Sequence, residues 1–189
     1  MSKLNELKSH LKRGKVYRRA DLEKWSTSID RHLRTLLDEG ILEKVFAGVY
    51  HYPKETVFGK APAEERELIT AFLKDDRFLL TSPNNYNALG LGTTQLYNNI
   101  TVYNHKRHGI FKLGNRNFNF QIRHHFPDQL SAEFLIVDMI NNLDELAEDT
   151  DDILNKLRDK VQDMDKIKLK ASLTNYGNAR AKRVLSIWI

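Results

Sequence analysis

A chain of 189 residues, 41% of them hydrophobic, is long enough to form one large domain or two small ones with packed cores. The absence of cysteine excludes a disulfide framework and thiolate metal sites, and it fits a reducing cytosol. No apolar stretch approaches the roughly 20 residues that cross a bilayer, and the charged N-terminus lacks the apolar core of a signal peptide. We therefore expect a soluble, cytoplasmic protein with no membrane partner.

The positive charge of the chain is concentrated in its N-terminal part. The first 60 residues carry 13 lysines and arginines against 8 acids, a net charge of +5 that equals the net charge of the whole chain. Residues 129–189 carry 9 lysines and arginines against 11 acids. A basic N-terminal part favours contact with a polyanion through counterion release, although a mild excess of charge is also common without such a partner.

The first 53 residues follow the order helix, short strand, short helix, longer helix and β-hairpin. The predicted ranges are a helix up to about Arg13, a strand at Lys15–Tyr17, a helix at Asp21–Trp25, a helix between a cap at Ser26 or Thr27 and Gly40, and a hairpin of Ile41–Val45 and Val49–Tyr52. The first strand can pair with the hairpin as a third strand. This order is typical of a winged helix-turn-helix domain.

The longer helix has an apolar face and a polar face. At about 100° per residue, Ile29, Leu33 and Leu36 form one stripe, and arginines and hydroxyls lie opposite them. Arginine can bind guanine edges in the major groove, and hydroxyls can bind phosphates or bases. The residues predicted to contact DNA are Arg18, Arg19, Thr27, Ser28, Arg31, Arg34 and Thr35. The alternative is an ordinary solvated face, which Asp30 and Asp38 on the same helix favour.

The polar segment Lys54–Lys60 predicts a linker, so we place two domains at residues 1–58 and 59–189. The predicted fold class is α+β, with the winged helix followed by a mixed domain that has a small, largely antiparallel sheet and C-terminal helices. Phe118, Phe120 and Ile122 alternate with polar residues, which indicates a strand with one buried and one wet face. Such a strand favours antiparallel neighbours.

A second set of cations lies in the C-terminal half. It occupies a predicted loop at His105–Gly109 and two predicted helices, Ile167–Tyr176 and Ala179–Trp188. These cations could bind a polyanion or a partner protein, or they could belong to solvated faces. The residues are Lys106, Arg107, Lys168, Lys170, Arg180, Lys182 and Arg183.

Known catalytic and cofactor-binding patterns do not occur in the sequence. Leu89–Gln95 (LGLGTTQ) is glycine-rich, but it has neither the P-loop nor the dinucleotide spacing, and a tight turn explains it better. His105 and His108 lie in a predicted loop, and the adjacent His124 and His125 point to opposite faces of a strand. We expect no enzyme activity, no metal and no cofactor.

The most specific motif of the chain is Asn87–Gln95 (NALGLGTTQ). Together with GVYHYP at residues 48–53, a proline-led helix and a strand-hairpin-strand, it resembles the AbiEi-like antitoxins of type IV toxin–antitoxin systems from about Lys12 to Ile140. The resemblance implies a winged helix that represses its own operon. Arg31, Arg34 and the wing from Lys44 to Gly48 would contact double-stranded promoter DNA, with inverted repeats as the expected operator.

The resemblance also implies a C-terminal domain that counteracts a nucleotidyltransferase-type toxin, directly or indirectly. In this interpretation the C-terminal set of cations is the antitoxin surface. One alternative is a winged-helix transcription factor whose C-terminal domain senses a ligand or dimerises, with no toxin partner. Another is an enzyme or RNA-modifying module that carries a winged helix. A neighbouring gene for a nucleotidyltransferase would favour the antitoxin.

Overall fold

The computed structural model describes residues 3–91 and 97–189 and shows a mixed α+β protein, as the sequence predicts. Its contacts divide the chain into two compact units. The first unit contains the residues up to Asp76 together with Phe111–Asn117, and the second contains Arg77–Ile110 together with Phe118–Ile189. The first unit thus extends beyond residue 58, where the sequence predicts the first domain to end.

The first unit begins with short helices and a three-stranded sheet. Its elements are α1 (Lys3–His10), β1 (Val16–Arg18), α2 (Arg19–Leu22), a 3-10 helix (Glu23–Trp25), α3 (Ile29–Asp38), β2 (Glu43–Phe46), β3 (Val49–His51), β4 (Glu55–Thr56), β5 (Gly59–Lys60) and α4 (Glu65–Leu73). The sheet has the order β1-β3-β2 with antiparallel pairings. The pairing of β1 with β3 confirms the predicted third strand.

The helix α3 has the apolar stripe that its sequence predicts. Ile29, Leu33 and Leu36 are buried and pack with Leu7 of α1 and Leu22 of α2. Burying each such side chain contributes roughly 1.5–3 kcal/mol. The stripe therefore fixes which face of α3 points to solvent, and the helical period assigned to this stretch is confirmed.

The start of α3 differs from the prediction. Neither Ser26 nor Thr27 caps the helix, which begins at Ile29 after Ser28, and the Ser28 side chain makes no capping hydrogen bond. The Ser26 hydroxyl is buried, lies 2.8 Å from Nδ1 of His32 and accepts a 3.2 Å hydrogen bond from the Ser28 N–H. Capping preferences could not reveal this, because His32 becomes a neighbour of Ser26 only after the chain has folded.

The segment predicted as a linker forms a hairpin. Glu55 pairs with Lys60, and Thr56 pairs with Gly59. The prediction of a linker is therefore wrong. A short polar stretch with one glycine suits a two-residue turn as well as a linker, and composition does not distinguish them.

The helix α4 belongs to the first unit because it packs on the sheet. Glu67 of α4 binds Lys15 and accepts a 3.1 Å hydrogen bond from the Val16 N–H. The ring of Phe72 lies 4.9 Å from the ring of Phe46 and 5.0 Å from the ring of Phe111. A cut near residue 60 would therefore separate parts of one packed unit.

The rest of the chain contains a larger sheet and the C-terminal helices. Its elements are β6 (Phe78–Thr81), a 3-10 helix (Pro83–Leu89), β7 (Ile100–Asn104), β8 (Gly109–Leu113), β9 (Arg116–Ile122), α5 (Ala132–Asn141), a 3-10 helix (Leu143–Glu145), α6 (Thr150–Gln162), α7 (Lys166–Tyr176) and α8 (Ala179–Trp188). Leucine and isoleucine side chains of α5 to α8 form a common core, as their helical spacing predicts.

The larger sheet, of order β6-β7-β9-β8, mixes strand directions. β6 and β7 are antiparallel, whereas β7 and β9 run parallel, with Ile100 opposite Phe118 and Asn104 opposite Ile122. The prediction of antiparallel neighbours is wrong for this pair. β8 lies at the edge of the sheet, and the chain turns back after it. The next strand, β9, is therefore placed between β7 and β8 and runs in the same direction as β7. Phe118 and Phe120 are buried, as predicted, but Ile122 at the strand end is 45% exposed.

The helix α5 is buried from Phe134 to Ile140 and contains one acid in this stretch. Asp138 accepts hydrogen bonds from the hydroxyls of Tyr86 at 2.9 Å and Tyr103 at 2.7 Å, and from the side-chain amide of Asn142 at 3.2 Å. Burial raises the pKa of Asp138, although the hydrogen bonds oppose the shift. Helical periodicity does not reveal this cluster, and the one available signal in the sequence is an aspartate within the apolar run LIVDMI.

The raised pKa of Asp138 predicts a specific pH dependence of stability. The folded protein disfavours the ionised form of the Asp138 carboxyl. The protonated carboxyl therefore contributes fully to the stability of the fold below its ordinary pKa near 3.8, and this contribution is lost as pH rises through the higher pKa of the folded state. Asp138→Asn removes this titration. Urea denaturation measures the free energy of unfolding of both proteins. As pH rises above about 4, we expect the wild type to lose stability relative to Asp138→Asn. The exposed Asp128→Asn variant, which removes a carboxyl without an ion pair in the described residues, is the control. A difference independent of pH for Asp138→Asn would contradict the expected titration.

Candidate nucleic-acid interface

The outer face of α3 carries two arginines, and the charge of Arg34 contributes, after Arg19, to the lowered pKa of Asp30. Arg31 and Arg34 are exposed, and neither guanidinium makes a hydrogen bond or an ion pair within residues 3–91 and 97–189. Residues three apart lie on the same side of a helix. Both guanidinium groups are therefore available to phosphates or to base edges.

Arg18 and Arg19, also predicted to contact DNA, are bound to carboxylates. Arg18 donates to both oxygens of Asp21, at 2.8 and 2.6 Å. Arg19 donates to both oxygens of Asp30, at 2.6 and 2.7 Å, and also binds Glu23. Hydrogen bonds to Asp30 and Glu23 raise the pKa of Arg19, and the same pairing lowers the pKa of Asp30. Arg19 thus ties α2 to the start of α3, and the charges of both arginines are matched within the unit.

The predicted hydroxyl residues have different surroundings. Thr27 and Ser28 are exposed before the first turn of α3, where a cleft of about 360 Å³ opens. The side chain of Ser28 does not cap this helix, and the cleft is lined by Arg31 and by Arg19, which is bound to the neighbouring carboxylates of Glu23 and Asp30. The hydroxyl of Thr35 instead donates to the carbonyl of Arg31 at 3.2 Å, so it is turned toward its own helix.

The turn between β2 and β3 is short and lies against the start of α2. Gly48 has φ of +70°, in the left-handed region that glycine adopts readily, and its carbonyl accepts a 2.8 Å hydrogen bond from the Arg19 N–H. Lys44 is exposed on β2 and provides a cation on this hairpin. The hairpin therefore offers Lys44, while Gly48 shapes the turn.

Two of the predicted C-terminal cations lie in the loop between β7 and β8. The side-chain oxygen of Asn104 accepts hydrogen bonds from the backbone N–H groups of Lys106 and Arg107, at 2.8 and 2.7 Å. The Asn104 side chain is itself buried. This arrangement fixes the backbone of the loop and leaves both basic residues exposed.

The other predicted C-terminal cations lie on α7 and α8. Arg180 donates to Asp144 at 2.6 Å, which raises the pKa of Arg180, and Lys168 lies 3.9 Å from the Asp165 carboxylate. The residues of this set that are exposed are Lys168, Lys170, Lys182 and Arg183. Because Lys168 and Lys170 are two positions apart, they project from different sides of α7.

The motif Asn87–Gln95 is described only in part, because Gly92–Gln95 lie outside the described residues. Within the described part, the 3-10 helix ends at Leu89, and Leu89 and Leu91 are buried in the core of the second unit. Packing thus accounts for Leu89 and Leu91, whereas the predicted tight turn lies largely outside the described residues and stays a prediction.

Other kinds of site receive no support from the part of the chain that the structure describes. These residues contain no group of three histidines or acids placed to hold a metal ion. Within the same residues, no helix has the length and apolarity needed to cross a bilayer. A groove of about 760 Å³ between α4 and β1 includes Lys15 and Arg18, which are both paired with acids. We therefore place the candidate interface on α3.

These observations define a class of protein. It is a mixed α+β protein whose first unit exposes two arginines on one helix, neither of which makes an ion pair in the described residues. The chain belongs to the DUF6088 family, a family of unknown function, which it matches over residues 3–173. The fold is similar to that of the RV2827C protein from Mycobacterium tuberculosis, with a TM-score of 0.61 and 16% identity over 98% of this chain and 74% of that one. At this identity the similarity shows the fold alone. No curated protein matches the sequence.

Proposed function

We propose that this protein is a DNA-binding transcriptional repressor of its own operon, and that its first unit contains a winged helix-turn-helix. The order α1, β1, α2, α3, β2 and β3, with β1 closing the sheet, supports this proposal. The observation that carries it is the unpaired exposure of Arg31 and Arg34 on α3. In the same unit Arg18 and Arg19 are bound to carboxylates, whereas Arg31 and Arg34 make no ion pair in the described residues and lie on the helix that would enter the major groove.

The proposed division of roles follows from these contacts. Arg31 and Arg34 would read base edges or bind phosphates, and Lys44 would add a phosphate contact from the hairpin. Arg18 and Arg19 would act indirectly, because Arg19 holds the start of α3 in place through Asp30. Thr27 and Ser28 lie where a phosphate could approach the first turn of α3.

The second part of the proposal is that the protein is also the antitoxin of a type IV toxin–antitoxin system. The support for it is the resemblance of the segment from Lys12 to Ile140 to AbiEi-like antitoxins. Its partner would be a nucleotidyltransferase-type toxin. The exposed cations of the β7–β8 loop, α7 and α8 would bind an acidic patch on the toxin or compete with it for a nucleic-acid substrate.

Binding of the full-length protein to duplexes from its own upstream region tests the DNA-binding proposal. Fluorescence anisotropy at several salt concentrations is expected to show tighter binding to one upstream duplex than to a scrambled duplex of equal length. The logarithm of the affinity should fall with the logarithm of salt with a slope of about −0.9 per phosphate contact. Equal, weak binding to both duplexes would contradict sequence-specific repression.

A further inference from the structure

The hairpin of β4 and β5 presents an apolar tip to solvent. Its two turn residues, Val57 and Phe58, are 93% and 98% exposed. Single exposed apolar side chains are ordinary on protein surfaces, but two adjacent ones at the end of a projecting hairpin form a defined feature. Neither residue contributes to the core of the first unit, so the fold gives no reason for their apolar character.

The tip is held in one conformation by local hydrogen bonds. The Thr56 hydroxyl donates to the Gly59 carbonyl at 2.7 Å and accepts a 3.2 Å hydrogen bond from the Phe58 N–H. Gly59 has φ of +98°, which a side chain would strain. At the base of the hairpin, the Ala61 N–H donates to the Lys54 carbonyl at 2.8 Å. The exposed phenylalanine is therefore presented by an ordered hairpin and not by a frayed segment.

Cations surround the base of this hairpin, and its acids are paired. Lys54 is exposed, and Arg13 lies 3.9 Å from the Glu55 carboxylate and 5.1 Å from the centre of the Tyr52 ring. Lys60 donates to the Gly40 carbonyl at 2.6 Å. Gly40 lies two residues after the end of α3, so the hairpin stands beside the C-terminal end of the candidate recognition helix.

Other acids lie near the same end of α3, and their negative charges would repel the phosphates of DNA unless cations are paired with them. Glu43 lies 3.5 Å from the Lys60 ammonium, and Glu39 lies 2.7 Å from the Lys8 ammonium. Of the acids near this end, Asp38 is exposed without such a pair in the described residues. The repulsion that these acids would exert on phosphates is therefore reduced on the side of the hairpin.

We propose that the β4–β5 hairpin is a second DNA contact, in which Phe58, supported by Val57, enters the minor groove next to the major groove that α3 occupies. The inference rests on the proposed DNA-binding function and extends it. Apolar side chains inserted between base steps kink a duplex by about 20–90°. Lys54, which is exposed and makes no ion pair in the described residues, would bind a phosphate beside the kink.

The size and the position of the tip favour DNA over other partners. A stable protein interface buries about 1,200 Å² or more, which two side chains do not supply. An interfacial membrane contact uses a larger amphipathic surface. An exposed apolar side chain near a cation and beside the candidate recognition helix instead fits the apolar wedges that enter a minor groove.

Bending of the upstream duplex tests the proposal. Donor and acceptor dyes at the two ends of the bound duplex report its end-to-end distance by energy transfer. Wild type is expected to raise the transfer, whereas Phe58→Ala should lose most of the increase and bind about tenfold more weakly. The salt slope should stay unchanged in Phe58→Ala, because no charge is removed. Ile167→Ala, which truncates an exposed apolar residue of α7, is the matched control and should behave as wild type.

The outcomes separate this proposal from the proposed function. If Phe58→Ala bends and binds the duplex as wild type does while Arg31→Ala/Arg34→Ala fails to bind, the wedge is overturned and DNA binding stands. If wild type does not bind the duplex, DNA binding itself fails. If Phe58→Ala instead abolishes binding to vesicles containing anionic lipid, or converts a dimer to a monomer in sedimentation, the tip contacts a membrane or a second copy and the proposal is overturned. Thermal unfolding by circular dichroism should be unchanged, since Phe58 is outside the core.

Discussion

Replacing Arg31 and Arg34 together with alanine is expected to abolish specific binding to the upstream DNA without changing the stability of the protein. Each arginine that reads a base contributes about 1–3 kcal/mol, so the single variants should bind roughly 5- to 150-fold more weakly. An arginine that binds only phosphate would give a smaller loss, equal for specific and scrambled DNA, and would reduce the salt slope by about 1. Anisotropy titrations of both single variants and the double variant distinguish these roles residue by residue.

The control for this experiment is Arg183→Ala, which removes the same charge from an exposed position on α8. It should leave operator affinity within about twofold of wild type, because Arg183 belongs to the other unit and lies outside the proposed interface. A second comparison uses Arg19→Ala, which breaks the ion pair with Asp30 and should weaken binding through the position of α3. Wild-type affinity of the Arg31→Ala/Arg34→Ala variant would remove α3 from the recognition role.

Growth rescue during toxin expression is expected to survive Arg31→Ala/Arg34→Ala and to be lost when the exposed cations of α7 and α8 are removed. The reason is that the two surfaces belong to different compact units, and domains that pack around separate cores can act separately. The variant tested is Lys168→Ala/Lys170→Ala/Lys182→Ala/Arg183→Ala in the full-length protein. All four residues are exposed, so each substitution should change stability by less than about 0.5 kcal/mol. Lys156→Ala/Lys160→Ala, which removes two exposed cations from α6 of the same unit, is the control and should rescue growth as wild type does.

Full-length variants are needed because the units do not divide near residue 60. A fragment that starts there would lose β1, on which Glu67 of α4 is bound. Co-purification of the two proteins then distinguishes the two mechanisms, since direct neutralisation requires a stable complex and competition for a nucleic-acid substrate does not. Loss of rescue in the Arg31→Ala/Arg34→Ala variant would mean that neutralisation depends on DNA binding. Full rescue by the α7–α8 variant would exclude those cations as the antitoxin surface.

The sequence by itself determined the helices and the faces that they bury. Ile29, Leu33 and Leu36 recur at helical spacing, and burying them leaves Arg31 and Arg34 on the opposite side whatever else the chain does. The same reasoning located β9, since Phe118 and Phe120 alternate with polar residues and are buried. In both cases the signal is local, because the period of a helix or a strand is a property of neighbouring residues.

Only the tertiary structure decided which charges are free and which are paired. Arg19 and Arg31 look alike in the sequence, but Arg19 binds Asp30 eleven positions later, and Arg31 has no such partner in the described residues. The Asp138 cluster likewise depends on Tyr86 and Tyr103, which lie 52 and 35 positions away. Periodicity carries no information about pairs so far apart, because their proximity arises from packing.

The direction of β9 and the hairpin conformation of Lys54–Lys60 also depend on contacts that form only in the folded protein. Alternation shows that one face of a strand is covered and favours antiparallel neighbours, but it does not determine which strand becomes the neighbour. A polar segment with one glycine becomes a hairpin or a linker according to the hydrogen bonds that it finds, here between Thr56 and Gly59 and between Lys60 and the end of α3. The sequence therefore determined local periods and exposed faces, whereas the long-range contacts of the fold selected which of the exposed groups are available to a partner.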